Sequence, residues 1–206
     1  MTTVIPVDYF NIAMSFAWRP ENDGQGPHSD AGDIGGETSW GTTFGTWTTW
    51  LKQHGQSADA AAFLLLPKEA FLPMYRINFW NACCCDALGV IGVPMFDIGM
   101  MSGPGNAIRF LQTLLNVEVD YKIGTLTLAA FNARDPLEIN ELLLTERDAF
   151  YASLVNAPLF ERGWERRASD CKVLTDSLIA QAASPAGIPA FSTADLLRTA
   201  GSSYVI

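Results

Sequence analysis

Arg19-Pro20-Glu21, followed by Asp30-Ala-Gly-Asp33-Ile-Gly35-Gly36-Glu-Thr38-Ser-Trp40-Gly41-Thr42, holds the residues best suited to chemistry. Cleaving a glycosidic bond needs a proton for the leaving oxygen and a second carboxylate to activate water or steady the positive charge on the sugar. Glu21 follows Phe16, Ala17, Trp18 and Pro20. Apolar neighbours raise a carboxyl's pKa toward the range where it donates a proton near neutrality. Taken alone, though, a glutamate at a helix end is more often an exposed surface group. Asp30 and Asp33 are each candidates for the second carboxylate. Each also reads as an ordinary turn residue, because aspartate bonds its own backbone in loops. Gly35 and Gly36 suit positive φ or the close approach of a sugar ring. Thr38 suits either holding a water or closing a turn. Trp40, Trp47 and Trp50 offer flat faces for sugar C–H groups, although the helical spacing of Trp47 and Trp50 favours the core.

A second group lies downstream. Asp97 sits inside an apolar run and needs a cationic partner if buried, with Arg167 or Arg109 available. That makes it structural more readily than functional. Leu111-Gln112, Asp120, Gly124, Thr127 and Gly163-Trp164 punctuate the remaining chain. Asp120 is placed to cap a helix entered near Thr125. The two histidines, His28 and His54, are too few and too scattered for a metal centre, so no metal or organic cofactor is expected.

The elements that must position these residues are helical. Apolar spacing predicts a first helix over 8–19, ending at Arg19-Pro20. A long loop over 21–41 follows, with room for short strands around Thr38–Trp40. A loop of that length in a compact domain is usually functional or disordered, and its acids favour function. A helix over 43–55 begins at Thr42 or Thr43 and closes near Gly55. Further helices are predicted over 57–66 with Ser57 as cap, and over 67–81 after Pro67. An apolar helix over 82–103 is interrupted around Gly89, Gly92 and Pro94. Helices over 104–116, 125–133, 136–155 and 157–180 complete the pattern. No repeat and no βαβ rhythm appears, so the class is all-α. The run Ser184-Pro-Ala-Gly-Ile-Pro189 opens a linker and peripheral tail over 185–206.

Composition narrows the alternatives. A chain of 206 residues, 49% hydrophobic and 17% charged, builds one core-bearing domain rather than a disordered segment. A formal net charge of −9 argues against nucleic acid and anionic lipid as partners. It also opposes an anionic wall unless a local basic patch exists, for which Arg162, Arg166 and Arg167 are the candidates. Cys83, Cys84 and Cys85 lack the spacing of a disulfide framework or a zinc site. On one helix they would point about 100° apart, with one or two in the core. They read as small buried hydrophobes, and a bridge to Cys171 has no support. The N-terminal residues lack a signal-peptide pattern, and no uninterrupted apolar run is long enough for a membrane span.

In order and spacing these residues resemble the family 108 glycoside hydrolases, the N-acetylmuramidase endolysins of bacteriophages and related bacterial muramidases. That family carries Glu-Gly-Gly-Tyr and then an Asn-Asp-x-x-Asp-x-Gly-Gly-x-Thr-x-x-Gly-Ile-Thr loop. Glu21 matches the family's catalytic acid, and Asp30 through Thr43 match the loop. Met74-Tyr75-Arg76-Ile-Asn-Phe79-Trp80, Phe96-Asp97, Leu111-Gln112, Asp120, Gly124, Thr127 and Gly163-Trp164 through Arg167 are similar to its predicted peptidoglycan-binding region. The resemblance covers about residues 10–180. Two departures stand out: Asn22-Asp23-Gly24 replaces Gly-Gly-Tyr, and the stretch from Glu21 to Asp30 is about three residues longer. Asp23 thereby becomes a third carboxylate near the acid.

The resemblance implies a lysozyme-like helical fold over 1–184, with a catalytic part over about 10–66 and a peptidoglycan-binding part over about 67–180. It implies hydrolysis of the β-1,4 bond between N-acetylmuramic acid and N-acetylglucosamine. Glu21 would be general acid, Asp33 or Asp30 would position water, and Thr38 would assist. Gly35, Gly36, Trp40 and Asp97 would contact substrate. The expected partner is the glycan strand and the expected state a monomer. The expected setting is synthesis in a host cytoplasm, holin-dependent release, and action in the periplasm. A non-catalytic wall-binding protein and a lytic transglycosylase are the alternatives.

Overall fold

The computed structural model describes residues 7–19, 26–27, 36–155 and 157–183. Glu21, Asp23, His28, Asp30, Asp33, Gly35 and the 185–206 tail lie outside the described residues. Among the described residues the fold is all-α, as expected of a lysozyme-like helical fold, with one two-stranded antiparallel hairpin. The chain divides into two compact units, one of residues 14–78 and the other of residues 1–13 and 79–206.

In the 14–78 unit, α1 (Tyr9–Ala17) contributes its second half. The hairpin follows, with β1 (Thr38–Ser39) and β2 (Thr42–Thr43) in register Thr38 to Thr43 and Ser39 to Thr42. Its two-residue loop, Trp40-Gly41, has positive φ at both positions, 52° and 76°. That is the turn whose twist matches paired strands, and it normally calls for glycine or asparagine at the first position. α2 (Phe44–Gln53) starts on Thr43, whose hydroxyl accepts from the Thr46 amide. It closes into Gly55 at φ 72°. α3 (Ala60–Leu64) is shorter than the spacing predicts, and its cap is Asp59 rather than Ser57. The Asp59 carboxylate accepts the Ala62 amide at 2.8 Å, which a serine two residues earlier cannot reach. The helix predicted over 67–81 is composite: a 3₁₀ turn over Lys68–Phe71, α4 (Leu72–Tyr75), then a π-helical stretch over Arg76–Asn81. The unit's core is aromatic. Phe63 and Phe71 meet edge to face, Trp47 packs on Phe71, and Phe44 packs on Phe63.

In the other unit, α5 (Cys85–Leu88), a 3₁₀ turn over Gly89–Ile91 and α6 (Gly92–Ser102) replace one interrupted helix. The break falls where the glycines predict it. α7 (Pro104–Leu114), α8 (Thr125–Asn132), α9 (Pro136–Ala152) and α10 (Ala157–Ala182) follow. α6 is the centre, with every residue from Gly92 to Gly99 buried, against α7 and α10. Cys85–Ser102 is long and apolar enough to cross a membrane, but over half of it is buried inside the protein. It behaves as a core segment whose middle holds an ion pair. The cysteines do not share one helix: Cys84 takes a left-handed conformation at φ 52°, with Cys83 and Cys85 buried on either side of it. All four cysteines are free thiols.

Candidate functional site

The described part of the candidate site is a hydrogen-bonded frame around Trp40. The helical end of α1 is apolar and buried at Phe16 and Ala17, and Trp18 and Arg19 continue from it toward Glu21. The Trp18 indole Nε1 donates to the Trp40 carbonyl at 3.1 Å. The Tyr75 hydroxyl donates to the same carbonyl at 3.0 Å. Tyr75 has one hydroxyl proton, so the 2.8 Å contact between Tyr75 and Thr42 is a bond donated by the Thr42 hydroxyl. The left-handed conformation of Trp40 and these two donors account for each other. A strained turn persists where its surroundings over-determine it. Trp18 also meets Tyr75 edge to face at 6.1 Å, and the Lys68 ammonium lies 5.5 Å from the Trp18 ring. The end of α1 is thus tied to the tip of the hairpin, the two elements that flank the acid-bearing loop.

Thr38, the threonine candidate, is buried at the start of β1, and its hydroxyl lies 3.4 Å from the Gly36 carbonyl. Gly36 is exposed with φ 70° and open space where a side chain would begin. It fits the positive-φ reading. Ser39 is fully buried, and its hydroxyl has no partner among the described residues. Trp40 is half-buried; its backbone carbonyl organises the frame. Trp47 is core, and Trp50 is half-buried and stacked on it at 5.1 Å.

Asp97 corrects the expectation of substrate contact. Its side chain is 2% exposed, and it pairs with Arg167 at 2.8 Å and Arg147 at 2.7 Å. A carboxylate so enclosed does not reach a sugar in a groove. Burial by itself would push its pKa up. The two guanidinium ions, Arg167 and then Arg147, outweigh that and hold the carboxyl below the usual range. Arg167 is one of the two predicted partners. Arg109 is not: its Nε donates to Asn106 and its guanidinium lies over the Phe110 ring. Arg147, which the sequence reading missed, is shielded by Tyr151, whose hydroxyl takes the Arg147 Nε bond at 2.9 Å. An arginine fifty residues downstream on a mixed helix face gave no local signal. Arg167 is also lost from the expected basic patch, leaving Arg162 and Arg166 exposed.

The downstream motif residues assemble into a latch. Gln112 is buried, and its Nε2 donates to Asp120 at 2.7 Å and to the Lys122 carbonyl at 3.0 Å. Its Oε1 accepts the Tyr121 amide. Asp120 therefore does not cap α8. Its Oδ1 also accepts the Lys122 amide, and α8 starts at Gly124 without a side-chain cap. The Gln112 bond and then the Lys122 amide lower the Asp120 pKa.

Residues 22–103 match the family model described as glycosyl hydrolase 108. This is the family that the sequence resembles, and the matched segment begins one residue after Glu21 and carries the hairpin, Tyr75 and Asp97. By this match residues 22–103 are similar to a glycoside hydrolase family. Among solved structures, Brucella abortus SagA is similar at a TM-score of 0.74 and 28% identity, over 86% of this chain and 97% of that one. No curated protein compared with the chain matches it.

Proposed function

We propose that this chain is a glycoside hydrolase that cuts the β-1,4 bond between N-acetylmuramic acid and N-acetylglucosamine in peptidoglycan. Glu21 protonates the leaving oxygen, Asp33 positions or activates water with Asp30 as the alternative, and Thr38 helps hold that water. Gly35, Gly36 and Trp40 border the sugar. The observation that supports the reading most is the pair of hydrogen bonds that Trp18 and Tyr75 donate to the Trp40 carbonyl. It braces both elements next to the acid-bearing loop, and catalytic groups need such bracing to hold their geometry. The enzyme would work where the substrate is, at the bacterial wall, as a lysin of a phage or of a bacterium.

Purified sacculi provide the test. Glu21→Gln is expected to abolish release of reducing ends while the circular dichroism spectrum stays unchanged. Full activity in that variant defeats the mechanism. The departure at Asn22-Asp23-Gly24 favours one second reading, a wall-binding protein without hydrolysis. Retention on sacculi with no reducing ends from the unaltered chain would select it. Anhydro-sugar ends in the product masses would instead select a lytic transglycosylase.

A further inference from the structure

An open groove of about 480 Å³ runs along α2, leading away from the hairpin strand that ends at Thr43. Gly45, Thr46, Thr49, Trp50, Gln53 and Asn78 line it, and none of its lining side chains is charged. In a chain of net charge −9 that neutrality points to an uncharged ligand. Thr46, Thr49 and Gln53 fall at i, i+3 and i+7, so they form one stripe about 10 Å long. The Thr49 hydroxyl proton is committed to the Gly45 carbonyl, which leaves its oxygen as an acceptor. The side-chain amides of Gln53 and Asn78 have no hydrogen-bond partner among the described residues, so each offers a donor and an acceptor to the groove.

Two further observations point to a ligand. The Trp50 indole Nε1 is buried and has no partner among the described residues, in a ring packed between Trp47 and His54. The N–H is closed to solvent, so a ligand acceptor meets it only as the ring turns on binding. Asn78 sits within the π-helical stretch over Arg76–Asn81, and π-turns gather at functional sites. Hydroxyl acceptors, two open amides and an indole N–H together match a sugar bearing hydroxyls and an acetamido carbonyl. We propose that this groove is an accessory subsite for an N-acetylated sugar, extending the glycan strand beyond the hairpin. The choice of sugar rests on the hydrolase reading above.

Nuclear magnetic resonance of the full chain with N,N′,N″-triacetylchitotriose as probe is the test. The Trp50 indole N–H signal, assigned by its loss in Trp50→Phe, is expected to shift on titration. The double variant Gln53→Ala and Asn78→Ala is expected to weaken binding at least tenfold, and the exposed substitution Thr49→Lys to do the same by blocking the groove. Maltotriose, which has no acetamido group, is expected to leave the signal in place. Overturning results are a Trp50 signal that does not move, shifts confined to residues 36–40, or an equal response to maltotriose. Reducing-end release from sacculi is measured in parallel. Cleavage without a Trp50 shift removes the subsite and leaves the hydrolase; a Trp50 shift without cleavage keeps the groove and removes the hydrolase.

Discussion

Among the described residues, Tyr75 carries more of the candidate site than Thr38, Gly36 or Trp40 does alone. Its hydroxyl joins Trp40 and Thr42, and its ring meets Trp18, so one side chain registers the end of α1 against the hairpin. Tyr75→Phe keeps the packing and removes both bonds. It should lower thermal stability by about 1–2 kcal/mol and reduce kcat on sacculi more than it raises KM, since binding surfaces remain. An unchanged kcat would separate the frame from catalysis. Asp97 lies on the other side of that division, as an architectural charge. Asp97→Asn removes the buried anion that Arg147 and Arg167 both meet, and a loss of about 3–5 kcal/mol is expected. The pH dependence has a definite sign. The folded carboxyl is held below its ordinary value, so its contribution is present above the unfolded pKa and disappears as pH falls through the folded one. Melting temperatures of the unaltered chain should therefore drop steeply below about pH 4, whereas Asp97→Asn should be less stable at neutrality with a flatter acid limb.

Elements, not isolated side chains, make the close approaches. The helix break before α6 brings Gly92 against α5, where an added Cβ would lie 2.6 Å from the Cys85 carbonyl oxygen. Alanine favours a helix over glycine by about 1 kcal/mol, but a backbone oxygen cannot turn aside as a side chain can. Gly92→Ala should therefore be net destabilising, by about 1–3 kcal/mol, as read by urea denaturation. The hairpin shows the same dependence on neighbours. Its type of turn is legible in Gly41, but Trp40 at φ 52° is not what turn chemistry selects. The bonds from Trp18 and Tyr75 explain why the residue is tolerated there. Helix positions were legible from spacing across most of the chain. Those that shifted did so for local reasons: Asp59 outcompetes Ser57 as a cap, and Asp120 is drawn away from α8 by Gln112.

At the scale of the whole molecule, charge is the quantity that acts at a distance. A chain of net charge −9 approaching an anionic wall is repelled over a Debye length, about 10 Å at 0.1 M salt and about 30 Å at 0.01 M. Initial rates on purified sacculi should rise as salt increases through that range, the reverse of a basic wall enzyme. A rate that falls would show that a local patch containing Arg162 and Arg166 governs association. The match over residues 22–103 spans the hairpin and the apolar α6 core segment alike. The residues that the resemblance selected therefore serve two purposes, some framing the candidate site and others, such as Asp97, Gln112 and Arg167, holding the fold.

Periodicity, glycine and proline placement, and the order of short motifs determined the all-α class, the helix boundaries to within a few residues, and the likeness to a glycoside hydrolase family, because these are written in neighbours along the chain. Only the tertiary structure decided that Arg147 rather than Arg109 joins Arg167 at Asp97, that Gln112 latches the Asp120 turn, and that Tyr75 and Trp18 converge on one carbonyl. Each of those pairings joins groups separated by eight to seventy positions, and burial makes them obligatory. A polar atom removed from water must find whichever partner the packing brings within about 3 Å, and packing is not a local property of sequence.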